Sequence, residues 1–187
     1  MFLLFYASCF AIEAATITFP SQLIGPFGQK DAGFSVQEGN FKWEVTSGSV
    51  WFGTPSFNDW ALGERTGGTP GEVTIIRNDL LGGLFTLDSF GLIQRDSTPS
   101  QDIKIEGFVG TSSVGAEIFP STDVYTVTTP NALSSAPVDR LVISLRSSGP
   151  NFAAIDDIVI TSIPEPNVPV TILSFCFYLL IAKRRRG

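Results

Sequence analysis

Apolar and polar residues alternate with a period of two along much of the chain. In "DRLVISLR", Leu141, Ile143 and Leu145 share one face while Arg140, Ser144 and Arg146 share the other, where Val142 is the single large apolar residue. In "DIKIEGF", Ile103 and Ile105 stand opposite Lys104 and Glu106. Successive side chains of a strand point to opposite faces, so each run predicts a strand with one buried side. "FKWEV" repeats the pattern and predicts Trp43 in the core with Phe41 and Val45. "LFTLDSFGLI" changes phase: Phe85 and Leu87 are in step, but Phe90 and Leu92 have the opposite parity. A strand that swaps its apolar face in mid-course contains a bulge, here between Asp88 and Ser89. "FAAIDDIVI" aligns Ala154, Asp156, Ile158 and Ile160 on one parity, which predicts that Asp156 points to the core face.

Further short β-rich runs ("TITF", "SVWF", "EVTIIR" and "VYTVTT") lie between turn signals such as Gly25-Pro26, Thr69-Pro70-Gly71, Gly82-Gly83 and Gly149-Pro150. The stretch "GTPSFNDWALGERTGGTPGE" reads as one long loop. No stretch of the body carries a helical period. Many short strands at turn-bounded intervals predict an all-β protein, an antiparallel sandwich or barrel. Residues 16–163 contain no repeat and no linker and read as one domain, long enough to bury a sandwich core.

The two ends break this pattern. Residues 1–15, "MFLLFYASCFAIEAA", form an apolar run closing on small residues and predict an N-terminal signal segment, although a basic opening is missing. Residues 164–187 begin with Pro164, Glu165 and Pro166, continue through an apolar segment, and finish in Lys183, Arg184, Arg185, Arg186 and Gly187. From Val168 to Ala182 the segment would reach about 22 Å as a transmembrane helix, short of the roughly twenty residues a comfortable span needs. The basic cluster orients it with that end cytoplasmic and the domain outside. This order of parts resembles the PEP-CTERM sorting signal of exported proteins in Gram-negative bacteria that make extracellular polysaccharide. The resemblance implies transient residence in the inner membrane, processing near the PEP motif by an exosortase, and delivery to the cell surface or extracellular matrix. A plain anchor that is never cut is the alternative.

Composition narrows the chemistry. The net charge is −6, with the basic residues of the terminus included, so the body is an acidic surface unsuited to nucleic acid. There is no histidine, which removes Ser-His-Asp and Cys-His nucleophilic sites. The two cysteines, Cys9 and Cys176, both lie in the apolar ends, leaving the body without thiol chemistry.

The last strand, with an aromatic followed by Ile155-Asp156-Asp157 and alternating aliphatics, is similar to the closing strand of carbohydrate-binding jelly-roll modules. That resemblance implies a jelly-roll sandwich. It also implies Asp156 as a ligand of a structural calcium ion, with Glu38 and Asp31 as partners from the N-terminal part. The alternative is that Asp156 caps a turn or pairs with an arginine such as Arg77. All three tryptophans fall between residues 43 and 60. Trp51 and Trp60, with Asp59 as an orienting polar group, are candidates for stacking against sugar rings. Carboxylates such as Glu64 and Glu72 have no separation fixed by sequence, which is what a glycosidase would require. The sequence therefore predicts a non-enzymatic protein with no required cofactor, structural or adhesive at the cell surface or in the matrix. A lectin-like carbohydrate-binding module is the alternative, and a glycan hydrolase ranks below both.

Overall fold

In the computed structural model the period-two runs become the strands of two stacked antiparallel sheets. The structure describes residues 14–19, 28–54, 59–63, 71–78, 83–94, 102–120, 124–146 and 153–163. Among them all regular structure is β, in thirteen strands. These are β1 (Ala14–Ile17), β2 (Gly28–Asp31), β3 (Ser35–Glu38), β4 (Phe41–Ser47), β5 (Ser49–Thr54), β6 (Asp59–Gly63) and β7 (Glu72–Arg77). They continue as β8 (Phe85–Gln94), β9 (Asp102–Val109), β10 (Ser112–Pro120), β11 (Thr126–Thr128), β12 (Arg140–Arg146) and β13 (Ala153–Ser162). One sheet has seven strands in the order β11-β8-β13-β6-β5-β2, with β1 also paired to β13; the other runs β10-β9-β12-β7-β4-β3.

The alternation decides what is buried. Leu141, Ile143 and Leu145 of β12 and Ile103 and Ile105 of β9 are at most 1% exposed, facing the other sheet. Trp43 is completely buried between Phe41 and Val45, as the pattern predicts. Rings from the two sheets interlock: Trp43 lies 4.9 Å from Phe52, Phe41 5.4 Å from Phe85 and Phe90 4.8 Å from Phe119, centroid to centroid. Each pair joins one sheet to the other, so the aromatics clamp the layers together. The chain passes between sheets at Gly48, whose φ of +61° suits glycine better than any other residue.

Polar faces look outward, and several of their side chains pair with one another. Lys42 pairs with Glu44 and Lys104 with Glu106, each at 2.6 Å and each two residues apart on one strand. Arg140 stacks over the Phe108 ring at 4.5 Å, and Ser144 Oγ donates to Glu72. Lys104 and the Ser113 hydroxyl hold the Glu106 carboxyl below the usual glutamate range.

Four strands lie outside the runs predicted from sequence. β6 falls inside the stretch expected to be one long loop. β2, β3 and β10 are edge strands with little buried surface; β10 buries only Phe119 along its length. β1 begins at Ala14, two residues before the expected domain start, and pairs Ala14 with Thr161 and Ala15 with Ile160. Residues 1–13 of the expected signal segment, the expected transmembrane helix and the PEP motif lie outside the described residues, whereas Ala14 and Ala15, expected to close the signal segment, belong to β1.

Candidate functional site

Two bulges lie side by side where β8 meets β13. Leu87 faces Ile160 and Ser89 faces Val159, so Asp88 is an extra residue in β8, where the parity swap of the sequence placed it. A few residues along, Asp156 faces Gly91 while Val159 faces Ser89, so β13 carries its own extra residue and the register recovers. This second bulge contains Asp157 in the left-handed region at φ +47°, a conformation that aspartate tolerates better than most residues. Asp156 Oδ1 accepts the Asp157 N–H at 2.8 Å and so caps the bulge that follows it. Asp88 stabilises the neighbouring bulge, accepting from the hydroxyls of Thr86 and Thr161.

The second bulge changes which side chains enter the core. Sequence parity aligned Asp156 with Ile158 and Ile160 on the core face. In the structure Ile155, Ile158 and Ile160 join the core cluster, and the extra residue between them moves Asp156 to the outer side. It is nevertheless only 5% exposed. Its cross-strand partner Gly91 explains part of this, because the Tyr125 ring lies directly over Gly91, where a Cβ would collide with it. Tyr125 is 42% exposed, and its Oη donates to Asp157 Oδ2 at 2.6 Å. The strained bulge thus orients an exposed aromatic ring on the sheet surface.

The same outer face continues toward β5. Val50 and Phe52 are fully buried in the core, so Trp51 between them is directed outward, where it is half-buried. In register, Gln29, Trp51, Gly63 and Ala154 form one row across β2, β5, β6 and β13. Beyond Ala154 come Asp156, Gly91 and Val127, one pleat along. Between the two aromatics the floor is made of Gly63, Ala154 and Gly91; Ala154 is only 3% exposed and Gly91 lies under the Tyr125 ring. Three strand spacings separate β5 from β8, about 14 Å, the scale of a short oligomer laid across strands. Flat rings at either end and carboxylates beside one of them are the groups that hold sugar faces and orient hydroxyls.

The sequence candidates are therefore brought together in part. Trp51 on β5, Asp59 and Trp60 on β6, and Asp156 on β13 lie on three neighbouring strands. Asp59 faces Thr54 in register, and the side chains of Asp59 and Trp60 lie outside the described residues. Tyr125, Asp157 and the glycines Gly63 and Gly91 belong to the candidate site but carried no signal in sequence, since only the pairing of β6, β13, β8 and β11 unites them.

The expected calcium ligands do not fit one ion. Among the described residues no group of three or more His, Cys, Asp or Glu side chains is assembled. Asp156 stands on β13, Asp31 on β2 and Glu38 on β3 of the other sheet. Each is engaged locally: Glu38 Oε1 accepts from the N–H and hydroxyl of Thr18, and Asp31 Oδ1 accepts from Gln29 Nε2. Asp156 lies within β13 rather than at a turn, and its Oδ1 accepts the Asp157 N–H inside the bulge. Of the glycosidase carboxylates considered, Glu72 lies in the six-stranded sheet and accepts from Ser144, and Glu64 lies outside the described residues. The sorting residues Pro164, Glu165 and Pro166 and the cluster Lys183 to Arg186 also lie outside them.

No protein-family model and no curated protein matches the chain. Among solved structures it is similar to a point variant of the family 29 carbohydrate-binding module CBM29-2, at 14% identity and a TM-score of 0.49, covering 79% of this chain and 90% of that one. It is similar at the same score, with 11% identity and coverage of 81% and 93%, to the module CBM29-1 from Piromyces equi. A second CBM29-2 variant, complexed with mannohexaose, scores 0.42 at 14% identity, again covering 81% and 93%. With these scores below 0.5, function is left to be argued from this chain's own residues.

Proposed function

We propose that this chain is an exported carbohydrate-binding protein that acts at the cell surface or in the extracellular matrix of a Gram-negative bacterium. The observation that carries the reading is the outer face of the seven-stranded sheet. There Trp51 and Tyr125 flank a floor of small residues, with the Asp157 carboxylate bonded to the Tyr125 hydroxyl beside it. Stacking on the two rings supplies affinity, and the Asp157 carboxylate selects the orientation of hydroxyls. Binding needs no catalytic group and no metal. The resemblance of the closing strand to carbohydrate-binding jelly-roll modules supports the same reading and a jelly-roll course for the strands. A glycan array probed with the purified protein tests it: selective binding is expected, and binding to no glycan overturns it.

Delivery follows from the tail. The PEP motif begins at Pro164, immediately after Ile163, where the described fold ends beyond β13. A cut in the tail would leave every described strand intact, as processing by an exosortase requires. The structural or adhesive role in the matrix is then the consequence of holding extracellular polysaccharide. Mass spectrometry of surface-localised protein decides this part. A C-terminus near Glu165 is expected, while an intact Arg186-Gly187 end would leave a plain anchor.

A further inference from the structure

We infer that the sugar recognised at this face carries a methyl group, as a 6-deoxy or acetylated hexose does; this rests on the glycan-binding reading above. The six large hydrophobic residues exposed among those described are Val109, Val114, Ile118, Val124, Tyr125 and Val127, and three of them belong to the β11 segment. Val127 is 64% exposed and pairs in register with Gly91, the residue under the Tyr125 ring. Val127 and Tyr125 are two residues apart and lie on the same side of the sheet, so an aliphatic side chain stands beside the ring at one end of the floor. No charged residue occurs from Val124 to Thr128. A bare hexose can stack a C–H face on the Tyr125 ring, but the hydroxyls at its edge gain nothing against Val127. A methyl substituent on a sugar stacked on Tyr125 would instead be removed from water against Val127, a favourable transfer in proportion to the area covered. The carboxylate of Asp157, tied to the Tyr125 hydroxyl, stays on the polar side of the same ring. The rim is thus sorted into an apolar and an acidic half, which suits a substituted sugar.

The test is an array of matched hexoside pairs, with and without O-acetyl, N-acetyl or 6-deoxy groups, read with the full protein and with Val127→Thr. Threonine keeps the branched shape and replaces one methyl by a hydroxyl. The intact protein is expected to favour the methyl-bearing member of a pair about fourfold, the worth of one buried methyl group, and V127T to abolish most of that preference. The pair types that respond identify whether the methyl comes from an acetyl or a deoxy group. Equal binding within every pair overturns the inference while leaving the glycan site standing, as does a preference that V127T leaves unchanged. Binding to no glycan overturns the site and the inference together. If V127T alters only sedimentation, the valine serves self-association and the inference fails.

Discussion

At the scale of the residue, the site depends on a glycine and a bulge. Gly91 is the residue over which Tyr125 lies, so Gly91→Ala must displace the ring. Glycan affinity is expected to fall roughly tenfold, the order of one aromatic contact, with the protein still folded by circular dichroism. Tyr125→Phe keeps the ring and removes its hydrogen bond to Asp157. It should cost about 1 kcal/mol of stability in urea unfolding. Glu106 supplies a pH-dependent contribution. Its carboxyl titrates below the ordinary value of 4.5 because Lys104 and Ser113 bond the ionised form. The folded state therefore binds this proton less readily than the unfolded chain, and the added stability is present above the ordinary value and lost as pH falls through the lowered one. Glu106→Gln should be less stable at pH 7 by well under 1 kcal/mol, as for an exposed pair. That gap should start to close once pH drops past 4.5, followed by urea unfolding at stepped pH.

At the scale of the element, burial on one face decides both stability and legibility. Leu141 on the interior strand β12 is fully buried, and Leu141→Ala should cost about 2–5 kcal/mol. Ile118 on the edge strand β10 is 54% exposed, and Ile118→Ala should stay within about 0.5 kcal/mol, compared by the same urea melts. The same contrast explains what sequence reveals. β4, β7, β9 and β12 each press one apolar face on the core and could be recognised from alternation alone. β3 and β10 each bury a single large apolar residue, Val36 and Phe119, so no period stands out. The β8 bulge was visible because both apolar phases, Leu87 and Phe90, are present in the chain. The β13 bulge was hidden because Ala154, Ile158 and Ile160 keep an unbroken parity. Ile155 passed for a solvent-side residue, and Asp156 for a core one. Only the pairing with β8 exposes the extra residue.

At the scale of the whole molecule, two sheets are locked by interlayer rings, and the proposed glycan site lies on one outer surface. The all-β antiparallel sandwich was legible because turn signals and alternating runs recur along the body. Of the proposed site, Trp51 stood out in sequence within an aromatic cluster, whereas Tyr125 joins it only through the strand order β11-β8-β13-β6-β5. Since β13 is in place before the tail begins, protein ending at Ile163 should melt within about 2 °C of the full chain, a shift of at most about 1 kcal/mol at this size. A chelator should leave the melting temperature unchanged, because Asp156, Glu38 and Asp31 are bound to protein groups rather than gathered around an ion. The most direct measurement is titration calorimetry with the strongest glycan found on an array, comparing the intact protein with Trp51→Ala and Tyr125→Ala. Both substitutions are predicted to weaken binding at least about tenfold while the fold survives. Unchanged affinity in both would contradict the assignment of this face.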